Sequence, residues 1–255
     1  KRLDYYWYSR SLWLLLLTPL SLLYRTVVWL RRLAYRAGIL SSQRLAKPVI
    51  VVGNLTVGGT GKTPLVAWLA DYLMQKGLSP CIVARGYGGK ARSWPQQVRP
   101  DSDPGIVGDE SVMLACMTGC PVAVGPDRVA AARQLLEHTD CNVVISDDGL
   151  QHYALQRDIE IAVIDGVRRF GTGFLMPTGP LREPLRRLRE VDMIVVNGIA
   201  GRGEYPMRML TGDARLLGDP QQQRALAEFR GQSVHAVAGI GNPARFFQTL
   251  QQYGI

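Results

Sequence analysis

Apolar residues along the chain fall into two patterns, one continuous and one interrupted. The continuous pattern lies near the N-terminus, where 14 of the 20 residues at 11–30 are apolar and Arg25 carries the one charge. Beyond residue 47, apolar residues form short runs rich in β-branched side chains, beginning with Val49–Gly53 and separated by glycine- and proline-rich stretches. Runs of this kind are typical of strands buried in a parallel sheet.

Helical patterns lie between these runs and complete an α/β alternation. The first run is followed by a helix that begins near Thr63 and whose apolar stripe ends before Gly77. Further strands are predicted at 81–84, 121–124, 142–146, Ile159–Asp165 and 192–197, and further helices at 110–117 and 129–138. The alternation predicts an α/β fold with a doubly wound, mostly parallel sheet and helices on both faces.

The N-terminal apolar stretch has the features of a segment that associates with a membrane. Its uncharged part, 11–24, is shorter than the roughly 20 residues that a spanning helix needs, and Pro19 interrupts it. Tyrosine and tryptophan flank it, as at the headgroup level of a bilayer. Arg25, Arg32 and Arg36 share one stripe of a helical wheel, so we expect a helix in one leaflet with this side toward anionic headgroups. A buried core helix and a cleaved signal peptide are the alternatives.

The net charge of +9 belongs to this segment and not to the whole chain. Residues 1–47 contain nine Lys or Arg and one Asp, a balance of +8, and the other 208 residues contain 21 bases and 20 acids, a balance of +1. A nucleic-acid binder carries its basic residues on the face that meets the phosphodiester backbone. We therefore expect no nucleic-acid partner.

Between the first strand and the first helix lies TVGGTGKTP, residues 56–64. Glycines let backbone N–H groups face an anion, and the helix that follows directs its positive end to the same point. The predicted nucleotide-binding residues are Gly58, Gly59, Thr60, Gly61, Lys62, Thr63 and Pro64, with the Lys62 amine on the β- and γ-phosphates and the Thr63 hydroxyl on Mg²⁺. Thr56 replaces the first glycine of the P-loop pattern, and no N-K-x-D guanine-reading motif follows, which favours ATP over GTP.

Two acidic pairs stand where a metal or a catalytic base is expected. Asp147 and Asp148 end an apolar strand and are predicted to hold Mg²⁺ beside the P-loop, although one of them could instead cap the turn at Gly149. Asp109 and Glu110 stand at a predicted helix start. They either cap that helix or place a carboxylate near the γ-phosphate to accept a proton from an attacking hydroxyl. The residues alone leave both interpretations open.

Arginine, histidine and asparagine supply the remaining candidates. Arg128 and Arg182 lie in loops after predicted strands, where they either neutralise a transferring phosphate or are ordinary surface residues. His152 could orient a carboxylate or serve as a structural hydrogen-bonding group. Asn197, at a strand end, is a candidate contact for adenine.

Seven motifs follow one another behind the apolar helix: VVGNLTVGGTGKTP (51–64), RGYGGK (85–90), VGDES (107–111), GPDR (125–128), SDDGLQH (146–152), RRFGTGFLMPTGPLREP (168–184) and AGIGNPARFF (238–247). In this order they closely resemble the tetraacyldisaccharide 4′-kinase family of the lipid A pathway, over nearly the whole chain. The resemblance implies a P-loop enzyme that uses ATP and Mg²⁺ to phosphorylate the 4′-hydroxyl of an acylated glucosamine disaccharide 1-phosphate, giving lipid IVA. It also implies a peripheral or monotopic protein on the cytoplasmic face of the inner membrane, and no protein partner is predicted.

The resemblance also assigns roles that the residues alone leave open. The roles that it implies are Lys62 and Thr63 on the triphosphate, Asp109 as general base, Glu110 with Asp147 and Asp148 around Mg²⁺, and Arg182 with Glu183 in the active-site loop. The chain departs from the family at Thr172, where members usually have the Asn of G-N-G. A histidine-bearing motif of the C-terminal lobe does not occur before Ile255, so we expect full activity to need residues beyond this point.

Three parts are predicted along the chain: a membrane-associated segment at 1–47, a P-loop kinase domain at 48–200, and at 201–255 a linker and the start of a smaller α/β lobe with a strand at 233–238. Because the chain stops where another strand is due, this lobe is expected to be incomplete.

The alternative function is a membrane-associated P-loop ATPase that acts as a nucleotide switch or binds a partner. Against it, Val57 stands where such ATPases have a second lysine. A cytosolic small-molecule kinase would leave 1–47 unexplained.

Overall fold

The computed structural model describes residues 3–8, 12–217, 219–240 and 243–255. Contacts divide the chain into two units, one formed by Lys1–Val57 with Gly61–Met207 and the other by Gly58–Thr60 with Arg208–Ile255. Some positions used in the sequence predictions lie outside the described residues, namely 1–2 and 9–11 of the leader and 241–242 of the C-terminal glycine turn.

An eight-stranded sheet organises the first unit. Its strands are β1 Val49–Gly53, β2 Pro80–Ala84, β3 Gln96–Val98, β4 Val122–Val124, β5 Val143–Asp147, β6 Ile159–Asp165, β7 Met193–Asn197 and β8 Tyr205–Met207. They lie in the order β3-β4-β2-β5-β1-β6-β7-β8, and every neighbouring pair is parallel except β3 with β4. The carboxyl ends of the parallel strands therefore meet at one edge, where ligands bind in open α/β sheets.

The helices of this unit are α1 Leu3–Tyr6, α2 Thr18–Arg36, α3 Lys62–Gln75, α4 Pro104–Val107, α5 Asp109–Thr118 and α6 Arg128–His138, with 3₁₀ helices at Leu12–Leu17 and Leu185–Arg189. Of these, α3 and α5 pack on one face of the sheet and α6 on the other. Side chains of β1 alternate between the two faces, as the pleat requires. Ile50 and Val52 pack in one cluster with α3 and α5, and Val49 and Val51 pack in another with α6. The predicted doubly wound α/β fold is confirmed.

The apolar pattern does not predict the two edge strands. β3 falls in a stretch that reads as a loop, and β8 follows the Gly- and Arg-rich stretch at 198–203 that reads as a linker. Each strand has three residues, with Gln96 and Gln97 in β3 and Pro206 in β8, so neither produces an apolar run. Edge strands tolerate such residues because one side of their backbone needs no partner strand.

The second unit contains a β-hairpin and a helix. β9 Ala214–Leu216 and β10 Asp219–Arg224 pair antiparallel, and a 3₁₀ helix at Leu226–Phe229 and α7 Pro243–Gln252 follow. The helix predicted after the glycine turn is confirmed. The strand predicted at 233–238 is wrong, because no described strand pairs with these largely exposed residues and they form no regular structure. The division of the chain at residues 47 and 200 stays a prediction.

Candidate active site

The glycine-rich loop leads from the end of β1 to the start of α3. Gly53 ends the strand and Lys62 begins the helix, which is the context that a phosphate-binding loop requires. Gly61 has a φ of 98°, and a Cβ atom there would lie 2.7 Å from Asn197 Nδ2. Both observations require glycine at this position. Asn197 is buried and packs against the loop, and its contact with adenine stays a prediction.

The first residues of the loop pair with a distant segment of the chain. Thr56 forms an antiparallel bridge with Leu181, and the backbone N–H of Val57 donates to the carbonyl of Pro180 at 2.8 Å. Thr56 is buried in this pairing. Thr56, which replaces the first glycine of the P-loop pattern, is therefore paired with another segment as a strand residue would be.

Three cationic side chains converge on Asp148 after the end of β5. Lys62 Nζ lies 3.6 Å from its Oδ1, and Arg182 Nη1 donates to its two carboxylate oxygens at 3.0 and 2.8 Å. Arg128 Nη2 donates to its backbone carbonyl at 2.9 Å. Asp148 adopts a φ of 49°, a conformation that is uncommon outside glycine and that clusters at functional sites. The structure therefore brings together the predicted Lys62, Arg128, Arg182 and Asp148.

Burial and these cations act in opposite directions on the two neighbouring carboxylates. Burial raises the pKa of Asp147 to about 6, and the charge of Lys62 opposes this shift. Burial also raises the pKa of Asp148, but Lys62 and Arg182 together outweigh it, so its pKa lies below the usual value. Asp148 is therefore anionic at neutral pH, and its charge is already balanced by the cations around it.

Asp147 has the features of a carboxylate that binds a cation. It is buried, and its Oδ1 accepts no hydrogen bond from the described residues. The charge of Glu110 raises the pKa of Asp147 further, which indicates that another carboxylate of the predicted metal set is near. A divalent cation would compensate the desolvation of these groups. The described residues contain no group of three or more His, Cys, Asp or Glu poised around a metal position, so phosphate oxygens and water would complete the coordination.

Glycines let the loop before α5 pack against the loop after β2. A Cβ atom on Gly89 would lie 2.4 Å from the carbonyl of Ile106, and one on Gly108 would lie 2.6 Å from the carbonyl of Tyr87. A side chain at either glycine would force the two backbones apart. The RGYGGK and VGDES motifs therefore form one packed corner at the carboxyl edge of the sheet.

Asp109 and Glu110 are exposed on this corner, at the first turn of α5. Gly108 occupies the N-cap position, and no side chain in the described part of the chain caps the helix from there. Asp109 Oδ1 instead accepts a hydrogen bond from the backbone N–H of Glu110 at 2.9 Å. Asp109 therefore satisfies one N–H of the first turn without occupying the N-cap position, and its role as a general base stays a prediction.

His152 lies near Arg128 as a neutral side chain. Burial, assisted by the charge of Arg128, lowers the pKa of His152 to about 4. An imidazole that oriented a carboxylate would have its charged form stabilised and its pKa raised. Its Nε2 atom is buried and bonds no group in the described part of the chain. These observations favour the structural interpretation of His152.

Arg182 and Glu183 are adjacent in sequence, but their side chains contact different parts of the protein. Arg182 reaches the carboxylate of Asp148, as described above. Glu183 is 1% exposed and accepts hydrogen bonds from the hydroxyl of Tyr153 and from Gln151 Nε2, the latter at 3.1 Å. Arg32 Nε of α2 lies 3.9 Å from the same carboxylate. Glu183 thus contacts the interior and α2, and its place in the active site stays a prediction.

The structure corrects the predicted orientation of the N-terminal helix. Ser21 and Arg32 are the buried residues of α2, all of whose residues are described. Arg32 pairs with Glu190, and Arg36 lies 3.0 Å from the same carboxylate. The prediction that Arg25, Arg32 and Arg36 face headgroups as one stripe is wrong for Arg32, which is buried and paired with Glu190. It stays a prediction for Arg25 and Arg36, which are exposed.

Apolar side chains point away from the protein instead. The residues that are more than half exposed include Trp13, Leu16, Leu20, Leu23, Val27 and Leu30. Among the described residues, one helical stretch, Trp13–Arg36, is long and apolar enough to cross a membrane by length and composition, and 6% of its apolar window is buried. The alternative of a buried core helix is therefore excluded, and the stretch is compatible with membrane association.

Comparison with known proteins places this site in a family. The family model for tetraacyldisaccharide-1-P 4′-kinase, LpxK, matches residues 13–255. The chain belongs to this family. Tetraacyldisaccharide 4′-kinases of Nitrosococcus oceani and Methylobacillus flagellatus are 58% and 53% identical, over 96% and 99% of this chain and 72% and 76% of their own length. The predicted family is confirmed, and the chain is a kinase.

A solved member of the tetraacyldisaccharide-1-P 4′-kinase family has the same fold. The structure of LpxK from Aquifex aeolicus in complex with ATP matches with a TM-score of 0.80 at 31% identity, over 96% of this chain and 79% of that chain.

The sequence did not predict that Tyr24, Arg32 and Tyr153 link α2 to the active-site loop. The available signal was the presence of polar residues in an otherwise apolar helix.

Proposed function

We propose that this chain transfers the γ-phosphoryl group of ATP to the 4′-hydroxyl of an acylated glucosamine disaccharide 1-phosphate, the step of lipid A biosynthesis that gives lipid IVA. The observation that carries the proposal is the convergence of Lys62, Arg128 and Arg182 on Asp148 beside a P-loop, in a chain of the 4′-kinase family. Three cations exceed the combined charge of the Asp147 and Asp148 carboxylates. A triphosphate supplies the negative charge that this arrangement lacks.

Phosphoryl transfer by this site depends on positioning and charge neutralisation. The transition state is loose, with charge spread over the transferring phosphoryl oxygens, so cations held close to it lower the barrier. Lys62 and Arg182 supply that charge in the proposal. Asp109 accepts the proton of the attacking hydroxyl, and its exposure at the packed glycine corner leaves room for the sugar.

ATP as phosphoryl donor is supported by the Aquifex aeolicus relative, whose structure was solved with ATP. The predicted nucleotide-binding residues Gly58 to Pro64 are proposed to hold its phosphates. Thr63 and Asp147 would hold Mg²⁺ directly, and the other two predicted ligands, Glu110 and Asp148, would act through water, because the described residues form no group of three carboxylates around a metal position. When bound, Mg²⁺ would neutralise charge on the phosphate oxygens. The buried, donor-free oxygen of Asp147 supports this assignment.

Access to a lipid substrate is proposed to depend on the outward side of α2. Acyl chains of such a substrate remain in a bilayer, so the enzyme must reach the sugar from the membrane surface. The exposed leucines of Trp13–Arg36 support contact with the lipid at the cytoplasmic face of the inner membrane.

Kinetics of matched variants test the proposed roles. The full chain is incubated with labelled ATP, Mg²⁺ and tetraacyldisaccharide 1-phosphate in mixed micelles, and transfer of label to the lipid is measured. Lys62→Ala and Asp109→Asn are each expected to lower kcat at least about 100-fold. Lys76→Ala and Asp101→Asn, which remove the same charges elsewhere, are expected to change kcat less than about twofold. Near-normal turnover by Asp109→Asn would exclude it as the base, and near-normal turnover by Lys62→Ala would exclude the nucleotide site.

A further inference from the structure

Two hydroxyl groups of α2 donate hydrogen bonds to the backbone of the active-site loop, which is the segment 168–184. Ser21 Oγ donates to the carbonyl of Leu175 at 2.9 Å, and the hydroxyl of Tyr24 donates to the carbonyl of Arg182 at 3.0 Å. Both partners are more than 150 residues away in sequence. An apolar helix that needed contact with a lipid surface alone would not require such bonds.

Arg32 adds an ionic contact to the same loop. It is 8% exposed, pairs with Glu190 and lies 3.9 Å from the carboxylate of Glu183. Glu183 is fixed in turn by Tyr153 and Gln151. A carboxyl group buried to this extent needs hydrogen-bonding or ionic partners of this kind. Glu183, which follows Arg182 in the sequence, is therefore held in place partly by a residue of α2.

The other side of the loop meets the phosphate-binding residues. The backbone N–H of Arg182 donates to the carbonyl of Leu55 at 2.6 Å, and Leu181 bridges Thr56. The side chain of Arg182 holds the Asp148 carboxylate. The loop thus lies between α2 and the P-loop, and the position of the Arg182 guanidinium depends on contacts from both.

We propose that α2 is a positioning element of the active site, with Tyr24 and Arg32 as positioning residues that act through the carbonyl of Arg182 and through Glu183. The contacts form one continuous chain from the helix to the guanidinium on Asp148. Loosening the chain at the helix lets the guanidinium leave the place where charge develops in the transition state. Such a change weakens an interaction that matters mainly in the transition state and leaves the binding of ATP in the ground state unaltered. It therefore lowers kcat more than it raises the KM for ATP. The inference rests on the proposed kinase reaction.

Single-atom and single-charge variants of the full chain test this inference. Tyr24→Phe removes one oxygen atom, so the fold is retained, and it is expected to lower kcat about 5- to 10-fold, the effect of one lost hydrogen bond. Arg32→Gln is expected to lower kcat at least about 10-fold, with partial recovery in Arg32→Lys. For both residues the KM for ATP and the fraction of enzyme that pellets with phospholipid vesicles should change less than about twofold.

Control variants on the same helix separate positioning from general damage. Tyr35→Phe removes a phenol oxygen that makes no hydrogen bond to the described residues, and Arg25→Gln removes a charge that has no ion-pair partner among them. Both are expected to leave kcat within about twofold of wild type. The inference is overturned if Tyr24→Phe and Arg32→Gln behave like these controls, or if they lose vesicle binding while kcat is retained.

A double-mutant cycle tests whether the effect passes through Arg182. In an Arg182→Lys background, Tyr24→Phe is expected to lower the residual kcat less than about twofold, because the group that it positions is already changed. Full additivity of the two losses would contradict the inference. Wild-type chain that transfers no phosphate to the lipid would contradict the proposed function itself, whereas normal transfer by both wild type and Tyr24→Phe would contradict the positioning role alone.

Discussion

Helices α2 and α3 both carry many apolar residues, but they bury opposite kinds of side chain. α3 buries Leu65, Val66, Ala67, Leu69, Ala70 and Leu73. α2 buries Ser21 and Arg32, while its leucines point outward. Apolar surface is stabilised by leaving water, so a helix with its apolar side outward is suited to surroundings other than water. The comparison shows that α3 stabilises the fold, and we infer that α2 meets lipid with one side and organises the active-site loop with the other.

The largest expected difference follows from placing a charge on each helix. Leu69→Asp puts a carboxylate into the core beneath the sheet and is expected to reduce the free energy of unfolding by at least about 4 kcal/mol. Leu23→Asp, on the outward side of α2, is expected to change it by less than about 0.5 kcal/mol. Urea unfolding of both variants in detergent measures this, and equal losses would contradict the comparison.

Truncation of a leucine on each helix sharpens the same contrast. Leu65→Ala leaves a cavity beside β1 and is expected to reduce the free energy of unfolding by about 2 to 4 kcal/mol. Leu30→Ala removes a side chain that is 51% exposed and should change it by less than about 0.5 kcal/mol. A Leu30→Ala loss as large as that of Leu65→Ala would indicate that α2 packs against protein through its leucines.

Substitutions on the outward side of α2, which should barely change stability, are expected to have the larger effect on lipid binding. Leu23→Asp is expected to weaken binding to vesicles of phosphatidylethanolamine and phosphatidylglycerol about tenfold or more, because a carboxylate must enter the interface. Leu78→Asp makes the same change at an exposed leucine of the body and should leave binding within about twofold. Co-sedimentation with vesicles measures both, and unchanged binding by Leu23→Asp would remove α2 as the lipid-contacting helix.

The smallest expected effect concerns the inward side of α2. Ser21→Ala removes one of two donors to the carbonyl of Leu175, the other being the backbone N–H of Gly179, and is expected to reduce the free energy of unfolding by about 1 kcal/mol or less. Thr26 bonds a carbonyl of its own helix, Leu22, so Thr26→Ala should have little effect. A thermal-unfolding comparison checks the pair, and a larger loss from Thr26→Ala would contradict the assigned inward side.

Sequence patterns predict the central strands because those strands are buried on both faces. β1, β5 and β6 contain apolar runs of four, three and four residues, and the ends of these strands coincide with the predicted ends within one residue. β3 and β8 give no such run, since edge strands need little apolar surface. The strand predicted at 233–238 shows the opposite error, because an apolar run becomes a strand only where another strand pairs with it.

Local sequence patterns predict residues that the structure brings together, but they do not predict how the arginines of α2 are oriented. Lys62, Arg128, Arg182 and Asp148 were each predicted from local patterns, and strands that end at one edge explain why they meet. A helical wheel gives the angle between Arg25, Arg32 and Arg36, but it contains no information on Glu190, which lies more than 150 residues away and decides where two of them point. Long-range ion pairs of this kind cannot be read from local spacing.

The position of the transferred phosphate tests the account most directly. Wild-type chain is incubated with ATP, Mg²⁺ and tetraacyldisaccharide 1-phosphate, and ³¹P NMR of the recovered lipid is recorded against the Lys62→Ala variant. The account predicts a second phosphomonoester on the 4′-oxygen of the disaccharide, formed by wild type and at least about 100-fold more slowly by the variant. Slow release of inorganic phosphate with an unmodified lipid would contradict it and would favour a membrane-associated nucleotide switch.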